Sequence, residues 1–94
     1  MPRAIFAGET IAESDDTIVV EGNHYFPPSA VNDAYLQESS THTVCPWKGA
    51  ASYKSVVVGD RQAADGAWYY PEPKAEAAQI AGYYAFWKGV TVEP

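Results

Sequence analysis

The stretch SYKSVVVGDRQAA, residues 52–64, decides the fold that the sequence predicts. Apolar and β-branched residues stand close to Gly59-Asp60, a two-residue loop with glycine in first place. Glycine there suits a type II′ turn, whose twist matches that of two antiparallel strands. The pattern therefore predicts a β-hairpin with strands near 51–58 and 61–64.

Similar turn signals recur toward both ends of the chain. RAIFAGETIAES predicts strands near 3–7 and 10–13 around Gly8-Glu9, and TIVVEGNHYF predicts strands near 17–21 and 24–26 around Gly22-Asn23. Asp65-Gly66 is a fourth turn signal, and Lys88-Gly89 predicts a last hairpin. With Gly22-Asn23 as the loop, Glu21 and His24 would be the closing cross-strand pair, stabilised by opposite charge.

Only two stretches have helical character. SAVNDAYLQES, residues 29–39, follows two prolines and is long enough for one or two helical turns. PKAEAAQIAG, residues 73–82, is the stronger case, because Pro73 suits a first helical position and Gly82 a stop. A helix this short must pack on a sheet to be stable.

The whole chain, 1–94, is expected to form one mainly β domain. Tight hairpins imply antiparallel pairing, so we expect a compact sheet or half-barrel of about eight short strands with one short helix. A hydrophobic content of 47% and an aromatic content of 14% argue against disorder.

Charge and composition exclude several classes of protein. The 12 acidic and 6 basic side chains give a net charge of −6, which disfavours binding to nucleic acid. The apolar runs are far shorter than the roughly 20 residues of a membrane span, and the N-terminal stretch lacks the pattern of a signal peptide. One cysteine cannot form an intrachain disulfide, which favours a cytoplasmic protein.

The segment HTVCPWKGAASY, residues 42–53, contains the only cysteine. Positive charge stabilises a thiolate, so Lys48 would activate Cys45 as a nucleophile. His42 could act as a base only if the strand ended early, because strand alternation points His42 and Cys45 to opposite faces. Alternatively, Cys45 is a small buried hydrophobic residue. Cys45 and Lys48 are therefore the candidate catalytic residues, and whether the protein is an enzyme stays open.

A structural zinc site usually needs four cysteine or histidine ligands, commonly in CxxC pairs. The sequence contains one cysteine and two histidines, so we expect no metal site and no cofactor. No Walker loop, GxSxG, HExxH or dinucleotide-binding pattern is present.

Aromatic residues crowd the stretch AWYYPEPKAEAAQIAGYYAFW, residues 67–87. Strand alternation places Trp68 and Tyr70 on one face and Tyr69 on the other. A core this small cannot enclose all thirteen aromatic side chains. We therefore expect some of them to line a pocket or an interface, where tyrosine and tryptophan are common.

The segments at residues 42–53 and 67–87 carry a resemblance to a known family that extends over nearly the whole chain. It resembles the bacterial domain-of-unknown-function family 427, which is also labelled nucleotidyltransferase-like. The matching positions are Tyr25, Pro27, Thr43, Cys45, Pro46, Lys48, Gly49, Tyr53, Ala67, Trp68, Tyr70, Pro71, Pro73, Ile80, Gly82, Tyr83 and Phe86.

The resemblance implies a tent-like β fold of the kind found in methionine-R-sulfoxide reductases. That architecture often holds zinc between two CxxC pairs, but this chain has no such pair, so no zinc is expected. A nucleotidyltransferase would need clustered carboxylates for two metal ions, and the sequence shows no such cluster. The family implies no established activity.

Both the residue chemistry and the resemblance point to one pocket for a small anionic or carbonyl-bearing ligand. Its predicted ligand-binding residues are His42, Cys45, Lys48, Gly49, Tyr53, Trp68 and Tyr70. Lys48 would hold the charged group and should lie at the surface, because burial of a lone charge is costly. Gly49 would let the ligand approach the backbone. The alternative is a non-catalytic interaction module, with a homodimer left open.

Overall fold

The structure is a computed structural model that describes all residues, 1–94. It is mainly β, with 57% of residues in strands, three antiparallel sheets and no closed barrel, so the predicted fold class is confirmed. The strands are β1 (Arg3–Phe6), β2 (Glu9–Glu13), β3 (Ile18–Val20), β4 (Asn23–Tyr25), β5 (Leu36–Cys45), β6 (Gly49–Val58), β7 (Arg61–Tyr69), β8 (Tyr84–Phe86) and β9 (Thr91–Glu93).

The three sheets differ in size. The largest has the order β5-β6-β7-β8, and its centre is the long β6–β7 hairpin. A three-stranded sheet has the order β2-β1-β9, and β3 pairs only with β4. Backbone hydrogen bonds between Phe26 and Tyr84 join the end of the β3–β4 hairpin to β8.

Alternating side chains of the four-stranded sheet enter two separate hydrophobic cores. The first core contains Ala4, Phe6, Ile11, Ala12, Phe26, Val31, Val56, Ala63, Ala67, Tyr84, Phe86 and Val90. The second core contains Tyr25, Ala51, Tyr70, Ala77, Ile80 and Ala85. Successive residues of β8 thus enter the first, second and first core in turn, as the two-residue period of a strand requires.

The turn at Gly59-Asp60 lies where the sequence predicts it, but two other turns are shifted by one residue. The first hairpin turns at Ala7-Gly8, with φ of 50° and 79°, and the second at Glu21-Gly22, with φ of 54° and 79°. Positive φ at both residues is the type I′ arrangement. The predicted pairing of Glu21 with His24 is therefore wrong, since Val20 faces Asn23.

This shift follows from the two ways in which a glycine fits a two-residue turn. Glycine suits the first position of a type II′ turn and the second position of a type I′ turn, so Gly8 alone does not distinguish two turns that are one residue apart. Moving the turn by one residue changes the strand pairing by two residues, so the side chains keep their faces. The observed register pairs Ala4 with Ala12 and keeps both residues buried, together with Phe6 and Ile11.

Two further turn signals have other roles. Asp65-Gly66 does not end a strand but forms a bulge inside β7, where a Cβ at Gly66 would lie 2.8 Å from the Ala63 Cβ. Lys88-Gly89 does not join a hairpin, because β8 and β9 belong to different sheets. The last turn instead carries the chain from one sheet to the other.

The helical segments are shorter than predicted. Residues 29–39 form parts of two 3-10 turns, Pro28–Ala30 and Asp33–Tyr35, and then enter β5. The predicted helix from Pro73 is a 3-10 helix, Ala75–Ile80, with non-helical backbone angles at Ala77. Burial of Ala77 and Ile80 against the sheet decides this conformation, since so short a segment has little helical stability alone. No helix has the length and apolar character to span a membrane.

Candidate functional site

A cavity of about 170 Å³ lies on the side of the four-stranded sheet that carries the second core. We call it the Lys48 cavity, and its lining residues are Lys48, Tyr53, Trp68, Tyr70 and Trp87. Four of these five residues are predicted ligand-binding residues, which the fold brings together from separate parts of the sequence. Their role as a binding site stays a prediction.

Strand pairing places the aromatic walls of the cavity. Tyr53 of β6 lies directly opposite Trp68 of β7, and Trp68 lies opposite Ala85 of β8. Tyr70 and Trp87 directly follow β7 and β8. Because side chains alternate along a strand, the neighbouring Tyr69 packs against the first core instead.

The rings contact one another at fixed angles. The centroids of Trp68 and Trp87 lie 5.5 Å apart in an edge-to-face arrangement, and those of Tyr53 and Trp87 lie 6.5 Å apart. Trp68 Nε1 donates a hydrogen bond of 3.1 Å to the Tyr25 hydroxyl, and Trp87 Nε1 donates one of 2.6 Å to the Asp65 carbonyl oxygen. Since both indole N–H groups are used within the protein, these rings offer mainly apolar surface to a ligand.

Lys48 supplies the charge of the cavity from the turn between β5 and β6. It is only 6% exposed, so the expected surface lysine is in fact buried. Its ammonium group forms an ion pair with Glu21 and lies 5.4 Å from the ring centroids of both Trp47 and Tyr70. The charge is thus buried with a partner, which removes the cost that the sequence argument assigned to a lone buried lysine.

The electrostatics keep Lys48 protonated. Burial lowers the pKa of Lys48, but the hydrogen bond to Glu21 and the charges of nearby groups outweigh it, so the net pKa is raised. The Lys48 hydrogen bond in turn lowers the pKa of Glu21. Burial raises the pKa of the Tyr70 phenol, against the opposing effect of Lys48. At neutral pH the site therefore holds one ammonium group and one carboxylate.

Three predicted residues lie outside the cavity lining. His42 is exposed, and its Nδ1 lies 3.2 Å from the Ser52 hydroxyl rather than against Cys45. Cys45 is half-buried and packs against the second core. Gly49 is buried, and a Cβ there would lie 3.4 Å from the Lys74 backbone nitrogen. The missing side chain of Gly49 thus makes room for the protein's own backbone.

Sequence reasoning missed three residues of the site, namely Trp87 in the cavity lining and Glu21 and Tyr25 beside it. Alternation in residues 83–87 gave a signal for Trp87, because that stretch is aromatic on both faces. No local pattern identifies Glu21, which is 27 residues from Lys48 in the chain.

A second cavity, of about 220 Å³, is lined by Gly22, Asn23, His24, Phe86, Val90 and Val92. It has neither a cation nor clustered aromatic rings, and Nδ1 of His24 is already hydrogen-bonded to the Thr17 hydroxyl at 2.9 Å. No three histidine, cysteine, aspartate or glutamate side chains lie close enough together to hold a metal ion. The Lys48 cavity is therefore the stronger candidate site.

Comparison with known proteins gives a family match. A search of curated proteins finds no similar chain. The sequence profile of a domain of unknown function, DUF427, matches residues 2–93, which is nearly the full length. The chain therefore belongs to the DUF427 family.

Proposed function

We propose that the Lys48 cavity binds a small molecule that has a flat apolar body and one anionic or carbonyl group. The observation that carries this proposal is the convergence of four aromatic side chains and one lysine on a single cavity. Pockets for small ligands are commonly apolar and aromatic, with a few polar groups that fix orientation.

The size of the cavity suits a ligand of one or two rings. Its volume is about 170 Å³, and an apolar protein cavity of about 150 Å³ is known to hold benzene. Two of the walls, Trp68 and Trp87, stand edge to face, so a flat ring can lie against one indole and meet the other at its edge. An aromatic or other planar body would fill this space best.

Lys48 is better suited to hold a ligand than to react with it. A nucleophilic lysine needs a lowered pKa, so that the amine is unprotonated. Burial lowers the pKa of Lys48, but the hydrogen bond to Glu21 and the charges of nearby groups together raise it overall. Its ammonium group would therefore act as a fixed hydrogen-bond donor to a carbonyl or carboxylate oxygen.

Binding can be tested by NMR with a set of small planar aromatic compounds added to the ¹⁵N-labelled protein. We expect the indole N–H signals of Trp68 and Trp87 to shift in a saturable way. Trp87→Ala removes one wall of the cavity and should weaken binding about tenfold or more, since stacking on one ring is worth about 1–3 kcal/mol.

Val44→Ala is the control for this experiment, because Val44 is 78% exposed and does not line the Lys48 cavity. This substitution should leave binding unchanged. Equal weakening by both substitutions, or no compound that shifts the Trp68 and Trp87 signals, would refute the proposed site.

A second candidate function is self-association through the free edge of β5. This strand is at the edge of the largest sheet, and its Val44 is 78% exposed. Unpaired edge strands can pair with another chain, although the irregular pairing between Glu38 and His42 interrupts this edge. Analytical ultracentrifugation of the parent protein and of Val44→Lys provides the test. If both proteins are monomers, a homodimer at this edge is excluded.

A further inference from the structure

Glu21 holds the one charged group of the Lys48 cavity in an ion pair. The two side chains differ in burial, because that of Lys48 is 8% exposed and that of Glu21 is 53% exposed. The carboxylate thus approaches a buried cation from the solvent side. A carboxylate of a ligand in the cavity would need the same ammonium hydrogens.

The position of Glu21 makes the contact easy to exchange. Glu21 is in the two-residue turn of the β3–β4 hairpin, a sheet of only two strands. Its carboxylate forms one ion pair, with Lys48, and a weaker side-chain interaction with Trp47 also lowers its pKa. When a ligand carboxylate takes the place of Glu21, the buried ammonium group of Lys48 stays paired. The half-exposed Glu21 carboxylate then returns to water at little cost.

We propose that Glu21 is an internal stand-in for the ligand's own anionic group, and that the ligand is an aromatic monocarboxylate that displaces it. This inference rests on the proposed function. Exchange of one carboxylate for another keeps the ammonium group of Lys48 paired. A phosphate dianion fits less well, because only one cation lines the cavity and the chain carries a net charge of −6.

The experiment compares phenylacetate with phenylacetamide, which has nearly the same shape but no charge. Both are titrated by NMR into the parent protein and into Glu21→Gln and Glu21→Ala, with the indole signals of Trp68 and Trp87 as the readout. Both substitutions should tighten binding of phenylacetate about two- to fivefold, the range that corresponds to the loss of one partly exposed competing ion pair. Binding of phenylacetamide should stay unchanged.

Asp60→Asn is the charge-matched control. Asp60 lies beyond the far end of β6, about 30 Å from Lys48 along the ten-residue strand. The substitution Asp60→Asn removes one negative charge, as Glu21→Gln does, and should leave the dissociation constants of phenylacetate and phenylacetamide unchanged. If Asp60→Asn tightens binding of phenylacetate as much as Glu21→Gln does, the effect is one of general charge and the inference is overturned.

The remaining outcomes separate the inference from the proposed function. If both probes bind but the Glu21 variants bind phenylacetate no tighter than the parent does, the stand-in role is wrong and the site stands. If the Glu21 substitutions tighten binding of both probes equally, Glu21 only blocks the cavity sterically, which also overturns the inference. If neither probe shifts the Trp68 or Trp87 signals in any variant, the site and the inference fail together.

Discussion

The two cores on opposite faces of the four-stranded sheet show how one sheet can serve two purposes. The first core has twelve buried residues and extends to the three-stranded sheet. The second has six and is covered by the 3-10 helix and the small β3–β4 hairpin. The first face is closed by another sheet, whereas the second face is only partly closed and has the Lys48 cavity beside it.

The aromatic residues at the two cores explain part of this difference. Phe26 and Phe86 of the first core pack edge to face with their centroids 5.7 Å apart and need no polar partner. On the second face, Tyr25 and Trp68 must satisfy a hydroxyl and an N–H group, which they do with each other. This hydrogen bond fixes the orientation of both rings on the face that carries the Lys48 cavity.

The largest loss of stability should come from a substitution in the first core. Phe26 is fully buried, and Phe26→Ala should lower the free energy of unfolding by about 3–5 kcal/mol, because it removes a large side chain and leaves a cavity. Trp87→Ala, on the second face, should cost less than about 2 kcal/mol because the indole is 43% exposed. Urea melts of both variants provide the measurement, and a larger loss for Trp87→Ala would reverse the assignment of the two faces.

Lys48 should give an intermediate effect that depends on the replacement. Lys48→Ala should cost about 1–2 kcal/mol, because it removes a buried side chain whose ammonium group lies 5.4 Å from the ring centroids of Tyr70 and Trp47. Lys48→Met keeps most of that volume and should cost less than about 1 kcal/mol, because the remaining carboxylate of Glu21 is half-exposed and can be solvated by water.

The pair of Lys48 variants separates packing from charge. Urea melts should rank the parent, Lys48→Met and Lys48→Ala in order of decreasing stability. A cost for Lys48→Met as large as that for Lys48→Ala would mean that the ion pair with Glu21, rather than the packed stem, stabilises this region.

The smallest change in stability should appear when carboxylates are protonated at acidic pH. Hydrogen bonds from Ser39 and Thr41 lower the pKa of Asp65, and Lys48 lowers that of Glu21. A carboxylate with a lowered folded-state pKa stabilises the protein fully above its ordinary pKa, 3.8 for Asp65 and 4.5 for Glu21. That stabilisation is lost as the pH falls through the lower folded-state value.

Urea melts between about pH 6 and about pH 2.5 test this acid dependence. The parent protein should lose more stability over that range than Asp65→Asn, which has already lost the carboxylate. Asp60→Asn has the same net charge as Asp65→Asn and should keep the parent's dependence. If the free energy of unfolding falls with pH in parallel for all three proteins, the Asp65 carboxylate does not contribute to the acid dependence.

Some structural features follow from local sequence patterns. The hairpin at Gly59-Asp60, the placement of Trp68 and Tyr70 on one face and the mainly β class all depend on interactions between near neighbours. The predicted helix at residue 73 and the hairpin at Lys88-Gly89 depend on what the segments pack against, and there the local pattern was insufficient.

The sequence by itself determined which rings share a strand face, because side chains alternate with a period of two whatever the rest of the protein does. It did not determine which turn residues close the first two hairpins, because a glycine suits either position of a two-residue turn and the preceding residue here also adopts a positive φ. Only the tertiary structure brought Glu21 to Lys48 across 27 residues of chain. A contact of that kind depends on how separate sheets pack, for which no short stretch of sequence carries a signal.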